Sequence, residues 1–220
     1  MENKRPALPK EKYYEQANQL AFKLAAERIA RIADIEEQCR RCGAQYRVKD
    51  SRETVLLRYL SQSYLITLPE VDVLFAESTE KVSIRDKVLI VHYFISAKGT
   101  PLTNRLITFR ELPEGTVYFP TFCKRTSEPL LNYFGKEPDR LLELTAKLDG
   151  YKADYGDVAV TIPAFSRVPI TIILWRGDEE FPPRGNVVFD ASISDYLPTE
   201  DIAVLCEMIA WKLVKIGDSR

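Results

Sequence analysis

Val158-Ala159-Val160-Thr161-Ile162, Val168-Pro169-Ile170-Thr171-Ile172-Ile173-Leu174-Trp175 and Asn186-Val187-Val188-Phe189-Asp190 are the runs that decide the fold. β-Branched and aromatic residues dominate all three, and each is the length of a strand. Pro169 has no amide hydrogen to donate, so it is expected at a strand start or on an edge. Beyond them Ile202, Leu205, Ile209, Leu213 and Ile216 recur at helical spacing. Thr199 is expected to cap that final amphipathic helix, with Glu200 and Asp201 at its positive end.

Working back toward the N-terminus, Leu106 to Phe119 reads as two short strands around the turn Leu112-Pro113-Glu114-Gly115. Short helices are expected about Phe122 to Phe134 and Asp139 to Leu148. Ser83-Ile84-Arg85-Asp86 fits a capping box opening a helix through Ile90, Val91 and Phe94, which Lys98-Gly99 and Thr100-Pro101 end. Thr54 to Leu60 and Tyr64 to Leu68, joined by Ser61-Gln62-Ser63, form a hairpin signal. Tyr13 to Cys42 carries apolar residues at helical spacing, and Gly43 is placed as a left-handed C-cap after Arg40-Arg41.

Strands and helices do not alternate regularly, so a doubly wound parallel sheet is disfavoured. The expected fold is α+β, a mixed, mainly antiparallel sheet packed with helices and flanked by N- and C-terminal amphipathic helices. Residues 1–12 read as a flexible basic arm and 13–220 as a single domain, with 77–81 as a possible soft joint.

The chain has 220 residues, 31 Lys and Arg against 32 Asp and Glu, a formal charge of −1, and 45% hydrophobic residues. That balance removes the bulk electrostatic argument for nucleic acid and for an anionic membrane. No apolar run reaches the roughly 18 residues of a membrane span, and no signal-peptide core follows the basic N-terminus, so a cytoplasmic location is expected. Four cysteines are too few for a disulfide scaffold in a chain of this length. P-loop, dinucleotide and nucleophile-elbow motifs are absent from the sequence.

Candidate chemistry gathers in several places. His92, the one histidine, is the default general acid or base, with a carboxylate such as Asp178 or Glu180 as partner, or else it is a satisfied residue at a helix–core boundary. Cys39-Arg40-Arg41-Cys42 has the spacing of half a metal or redox site, or else two small packing thiols. Lys98, Thr100, Arg110 and Glu111 assemble charges and hydroxyls suited to a carboxylate or phosphate, against the alternative of a capped helix end and a surface ion pair. Tyr118 and Arg125 belong to an aromatic segment that either packs in the core or walls a flat-ligand pocket. The densest stretch is Trp175-Arg176-Gly177-Asp178-Glu179-Glu180-Phe181-Pro182-Pro183. Its carboxylates, with Asp190, Asp195, Glu200 and Asp201, suit a hard cation or acid catalysis, or else solvated turns and caps, with Trp175, Phe181 and Tyr196 supplying shape.

With these residues assembled, the chain resembles the uncharacterised DUF3786 family of anaerobic bacteria and archaea. The resemblance runs through His92-Tyr93, Ala97 to Thr103, Phe109 to Pro113, Tyr155-Gly156-Asp157, Arg167-Val168-Pro169, Trp175 to Pro183 and Tyr196 to Leu205. It implies a setting near corrinoid or iron–sulfur proteins of anaerobic one-carbon or redox metabolism. Cys39 and Cys42 alone cannot ligate a four-iron cluster, which needs four thiolates. The leading expectation is therefore a cofactor- or small-ligand-binding accessory protein, with a corrinoid or haem as candidate ligand and His92 as a possible axial group. The alternatives are a hydrolase or transferase using His92 and a protein-interaction module.

Overall fold

A computed structural model describes residues 10–49 and 52–218. Helices α1 (Lys10–Ile29) and α2 (Ile35–Cys42) lead into an antiparallel meander of β1 (Gln45–Lys49), β2 (Arg52–Tyr59), β3 (Gln62–Leu68) and β4 (Asp72–Phe75). Helix α3 (Ile84–Ser96) and the short strand β5 (Leu106–Thr108) follow. A helical run then comprises α4 (Gly115–Phe122), α5 (Glu128–Phe134) and α6 (Arg140–Thr145). Strands β6 (Tyr151–Ala153), β7 (Val158–Phe165), β8 (Val168–Trp175) and β9 (Arg184–Asp190) precede the terminal helix α7 (Thr199–Asp218).

The fold is α+β, and every strand pair in its nine-stranded sheet is antiparallel. Among the described residues the meander and the second strand group pair at Tyr59 and Phe165, beside which the Leu60 amide donates to the Ala164 carbonyl at 3.0 Å. Aromatic packing reinforces that junction: Tyr59 stacks on Phe165 at 4.7 Å between ring centroids, and Phe165 stacks on Tyr93 of α3 at 4.1 Å. One apolar cluster includes Val55, Ile66 and Val73 together with Leu89, Phe94 and Ile172, so it spans both sides of the exposed coil 77–81. Alternation along β7 and β8 sends Val160, Ile162, Ile170 and Ile172 into this core, where α5, α6 and α7 also pack.

Several local expectations hold for the stated reasons. Ser83 accepts the Asp86 amide at 3.1 Å and starts α3, although the Asp86 carboxylate takes the Ser83 hydroxyl rather than its amide. Gly43 has φ +70, and the Gly43 and Ala44 amides donate to the Arg40 and Cys39 carbonyls, a left-handed helix stop that a side chain would strain. Pro169 is the second residue of β8.

Others are corrected. The segment expected as one helix over 13–42 is two, because Asp34 caps a new helix by accepting the Glu37 amide at 2.8 Å. Of the basic arm, residues 10–12 form the start of α1, and the remainder lies outside the described residues. The second strand expected in 106–119 is α4. Its residues have strand-like composition, but Phe122 stacks on Phe109 at 4.0 Å and Phe119 lies 6.4 Å from Phe122, a helical i,i+3 spacing that tertiary packing rewards. Pro120 and Pro129 remove amide donors from this run, and between them Cys123–Ser127 widens to a π turn in which the Glu128 amide reaches the Cys123 carbonyl. Thr199 begins α7, but its hydroxyl donates to the Pro113 carbonyl at 2.8 Å, tying the helix to the turn before α4.

Candidate functional site

The β8–β9 connection, residues 176–183, is rigid where sequence alone shows only a crowded turn. The Arg176 amide donates to Asp157 at 2.7 Å and its guanidinium to Asp139 at 2.6 Å. Asp178 accepts the amides of Glu180 and Phe181 at 2.8 and 2.7 Å, and these bonds, with nearby Arg184, hold its carboxyl below the ordinary range. Asp178 is therefore committed to the turn. Glu179 and Glu180 are exposed on one side of it, in a groove of about 470 Å³ shared with Gly135, Lys136 and Pro138.

An adjoining groove, which shares Arg176, Phe181 and Pro182 with the first, is different in kind. A groove of about 700 Å³ is walled by Phe119 from α4, Trp175 at the end of β8, and Phe181 and Pro182 from the turn. Arg176, Arg184, Gly185 and Asn186 complete it. Trp175 and Phe181 are 40% and 53% exposed, large for aromatic side chains brought together from separate segments. Arg184 lies over the Phe181 ring at 5.6 Å, and Arg110 over the Phe119 ring at 4.0 Å, so two aromatic walls carry cations.

The other expected site residues are distributed elsewhere. Lys98 and Thr100 both donate to Asp195, at 2.7 and 2.8 Å, which keeps the Asp195 carboxyl low, and the Tyr196 hydroxyl donates to the Thr100 carbonyl. Nearby, Asp190 accepts from the amides and hydroxyls of Thr103 and Ser192 and from the Asn104 amide. Burial by itself would raise the Asp190 carboxyl, but those bonds prevail and hold it at about 2. Gln38 adds bonds to the Phe94 and Ala97 carbonyls. Together they form a polar knot that pins the coil after α3 to the segment after β9. The acidic triplet does not face Lys98, whose partner is Asp195.

Glu111 caps its own turn, accepting the Thr108 amide and hydroxyl at 2.7 and 2.9 Å. Arg125 donates to the Tyr118 hydroxyl at 2.9 Å and pairs with Glu207 of α7, which Arg85 also contacts at 3.1 Å. His92 does have a carboxylate in reach, but it is Asp201 at 2.7 Å, neither Asp178 nor Glu180. The His92 side chain is 24% exposed, at the seam of α3 and α7, and it lines neither groove. Cys39 and Cys42 are buried, and desolvation raises their thiols to about 11 and about 12, away from ligating thiolates. Among the described residues no cluster of three His, Cys, Asp or Glu side chains suits a metal ion, and no helix is long and apolar enough to cross a membrane.

Phe119, Arg184, Asn186 and Glu207 are not marked as site residues by their sequence context, and Phe119 lies in a segment of strand composition; Asp201 stands among the candidate carboxylates, but its pairing with His92 is not legible there. Glu207 does carry a signal, as the one charge within the apolar run Ile202 to Trp211.

No curated protein and no solved structure matches the chain. The resemblance carried by the Lys98–Thr103, Trp175–Pro183 and Tyr196–Leu205 motifs has a counterpart at family level, in a model described as a domain of unknown function. That model matches residues 34–212, which take in the groove, the polar knot and the His92–Asp201 pair, and the chain belongs to this DUF3786 family.

Proposed function

We propose that this protein is a small-ligand-binding accessory protein and that its site is the groove walled by Phe119, Trp175, Phe181 and Pro182. The observation carrying the proposal is the convergence of three aromatic rings from α4, β8 and the following turn, two of them substantially exposed, on a concavity within the usual range of ligand sites. Their backbone supports are fixed by Asp157, Asp139 and Asp178, so the walls are preorganised. For haem or a corrinoid the groove supplies flat walls but no axial nitrogen, because His92 is not among its lining residues and its Nδ1 is engaged by Asp201. Metal ligation by His92 in this groove is therefore not part of the proposal. A role beside a corrinoid or iron–sulfur protein rests on the family resemblance and is a proposal of the same standing.

Thermal-shift and absorbance titrations with haem, cobalamins and naphthyl compounds test the reading. A ligand at about 100 times its Kd adds about 2.7 kcal/mol, a rise of roughly 5–10 °C for a chain of this size. The shift should vanish in a Trp175→Ala/Phe181→Ala protein. A transition that moves with none of these compounds would sink the proposal.

The His92–Asp201 pair favours a second reading, an enzyme in which Asp201 orients the imidazole. Hydrolase screening with ester and phosphoester substrates, in parallel with His92→Ala, tests it; turnover unaffected by that substitution counts against it.

A further inference from the structure

Resting on the groove reading above, we infer that the ligand is planar and anionic, a conjugated ring carrying a carboxylate or a phosphate. The groove's polar groups are donors. The Arg184 guanidinium makes no direct ion pair among the described residues; it lies over the Phe181 ring at 5.6 Å, and Asp178 acts on it only from beyond ion-pair distance. Asn186 accepts the Val187 amide on its side-chain oxygen at 2.9 Å, so what it has left to offer a ligand is chiefly its NH2 donor. The Trp175 indole N–H has no hydrogen-bond partner among the described residues and can only donate.

Acceptors are withheld on the same surface. No Asp or Glu lines this groove; Asp178, Glu179 and Glu180 line the adjoining one with Lys136. Arg176 is paired with Asp139, whereas Arg184 has no direct ion pair among the described residues and only the more distant Asp178 offsets its charge, and Arg110 adds positive charge against the Phe119 ring. Donors without a direct carboxylate partner, positive charge from Arg184 and Arg110, and flat apolar walls select a ligand that stacks and accepts. A cationic or purely apolar ring would leave Arg184 desolvated and unpaired. β8–β9 pairing places Trp175 directly opposite Arg184, so one bound ring can stack on the indole while its anionic substituent reaches the guanidinium.

Trp211, the other tryptophan, is exposed on α7, so a Trp211→Phe protein retains a single indole N–H resonance in a proton–nitrogen correlation spectrum, that of Trp175. Naphthoate, naphthyl phosphate and the neutral methyl naphthoate are titrated against it. At least one anion is expected to shift that resonance with an affinity about tenfold tighter than the ester. Arg184→Gln should bring that anion down to the ester's affinity while leaving the ester unchanged. The tighter of the two anions identifies carboxylate or phosphate as the natural group. Equal affinities for ester and anions, or equal effects of Arg184→Gln on both, overturn the anionic class while leaving the groove as a ligand site. If no compound, ester included, shifts the resonance, the groove reading itself falls.

Discussion

Replacing Asp190 by Asn should loosen the polar knot, and its cost can be reached by two routes. The first is contact by contact. Oδ1 accepts from Thr103 N and Oγ1, both at 3.0 Å, and from Ser192 N and Oγ at 2.9 and 2.7 Å, while Oδ2 accepts from Asn104 N at 2.7 Å. An amide keeps one acceptor oxygen but turns NH2 toward a backbone N–H, and losing one buried charge-assisted bond costs about 1.5–3 kcal/mol. The second route is linkage. A carboxyl held at about 2 against an ordinary 3.8 corresponds to about 2 kcal/mol of stabilisation by the charged form. The folded value is depressed, so this contribution is complete above the unfolded value and is lost as pH falls through the folded one. Urea unfolding of both proteins should give a difference of about 2–3 kcal/mol at pH 7 that shrinks between about pH 4 and pH 2. Carboxylates common to both proteins cancel in that difference. A gap below about 0.5 kcal/mol at neutral pH, or one that ignores pH, would refute the assignment of Asp190 as the charged centre of the knot.

Phe165→Ala removes the ring stacked between Tyr59 and Tyr93 where the two strand groups meet, and a loss of about 3–5 kcal/mol in denaturant unfolding is expected; a loss under about 1 kcal/mol would mean the junction is held by other contacts. A double-mutant cycle of His92→Ala and Asp201→Asn should show a coupling near 1 kcal/mol, since the pair is mostly shielded by α3 and α7. Additivity within error would show that the pair carries no energy. In the folded protein Cys123, only partly buried, should react with a thiol reagent well before Cys39 and Cys42, whose thiols burial raises to about 11 and about 12. Early modification of either, or stoichiometric metal in protein prepared without air, would contradict their packing role.

Much of this architecture is legible from local pattern. β2, β3, β7, β8 and β9 follow runs of β-branched and aromatic residues, and the Ser83 and Gly43 helix boundaries follow from capping chemistry that operates within a few residues. β1, β4 and β6 are not, because each is short and their place depends on β2, β3 and β7 offering an edge. α4 defeats its own composition for the same reason: Val117 is 86% exposed, and what selects the helix is the packing of Phe119 and Phe122 beside Phe109. At the site, the Trp175 to Pro183 stretch marks itself by crowding, whereas its remaining walls do not. Phe119 lies 56 positions before Trp175, and nothing near Phe119 in the chain refers to the turn it faces.

By itself the sequence determined the α+β class, the strand-rich C-terminal core, the helix ends at Ser83 and Gly43, and the family, because these rest on periodicity, capping and motifs read over short distances. Tertiary structure alone decided which polar and charged side chains pair. Asp195 takes Lys98, Asp201 takes His92 and Glu207 takes Arg125 across 97, 109 and 82 residues, and Asp178 turns inward on its own loop. Pairing energies depend on separation in space and on burial, which residue type and spacing along the chain do not encode. Arg184 and the Trp175 indole, which make no direct ion pair or side-chain hydrogen bond among the described residues, line the groove.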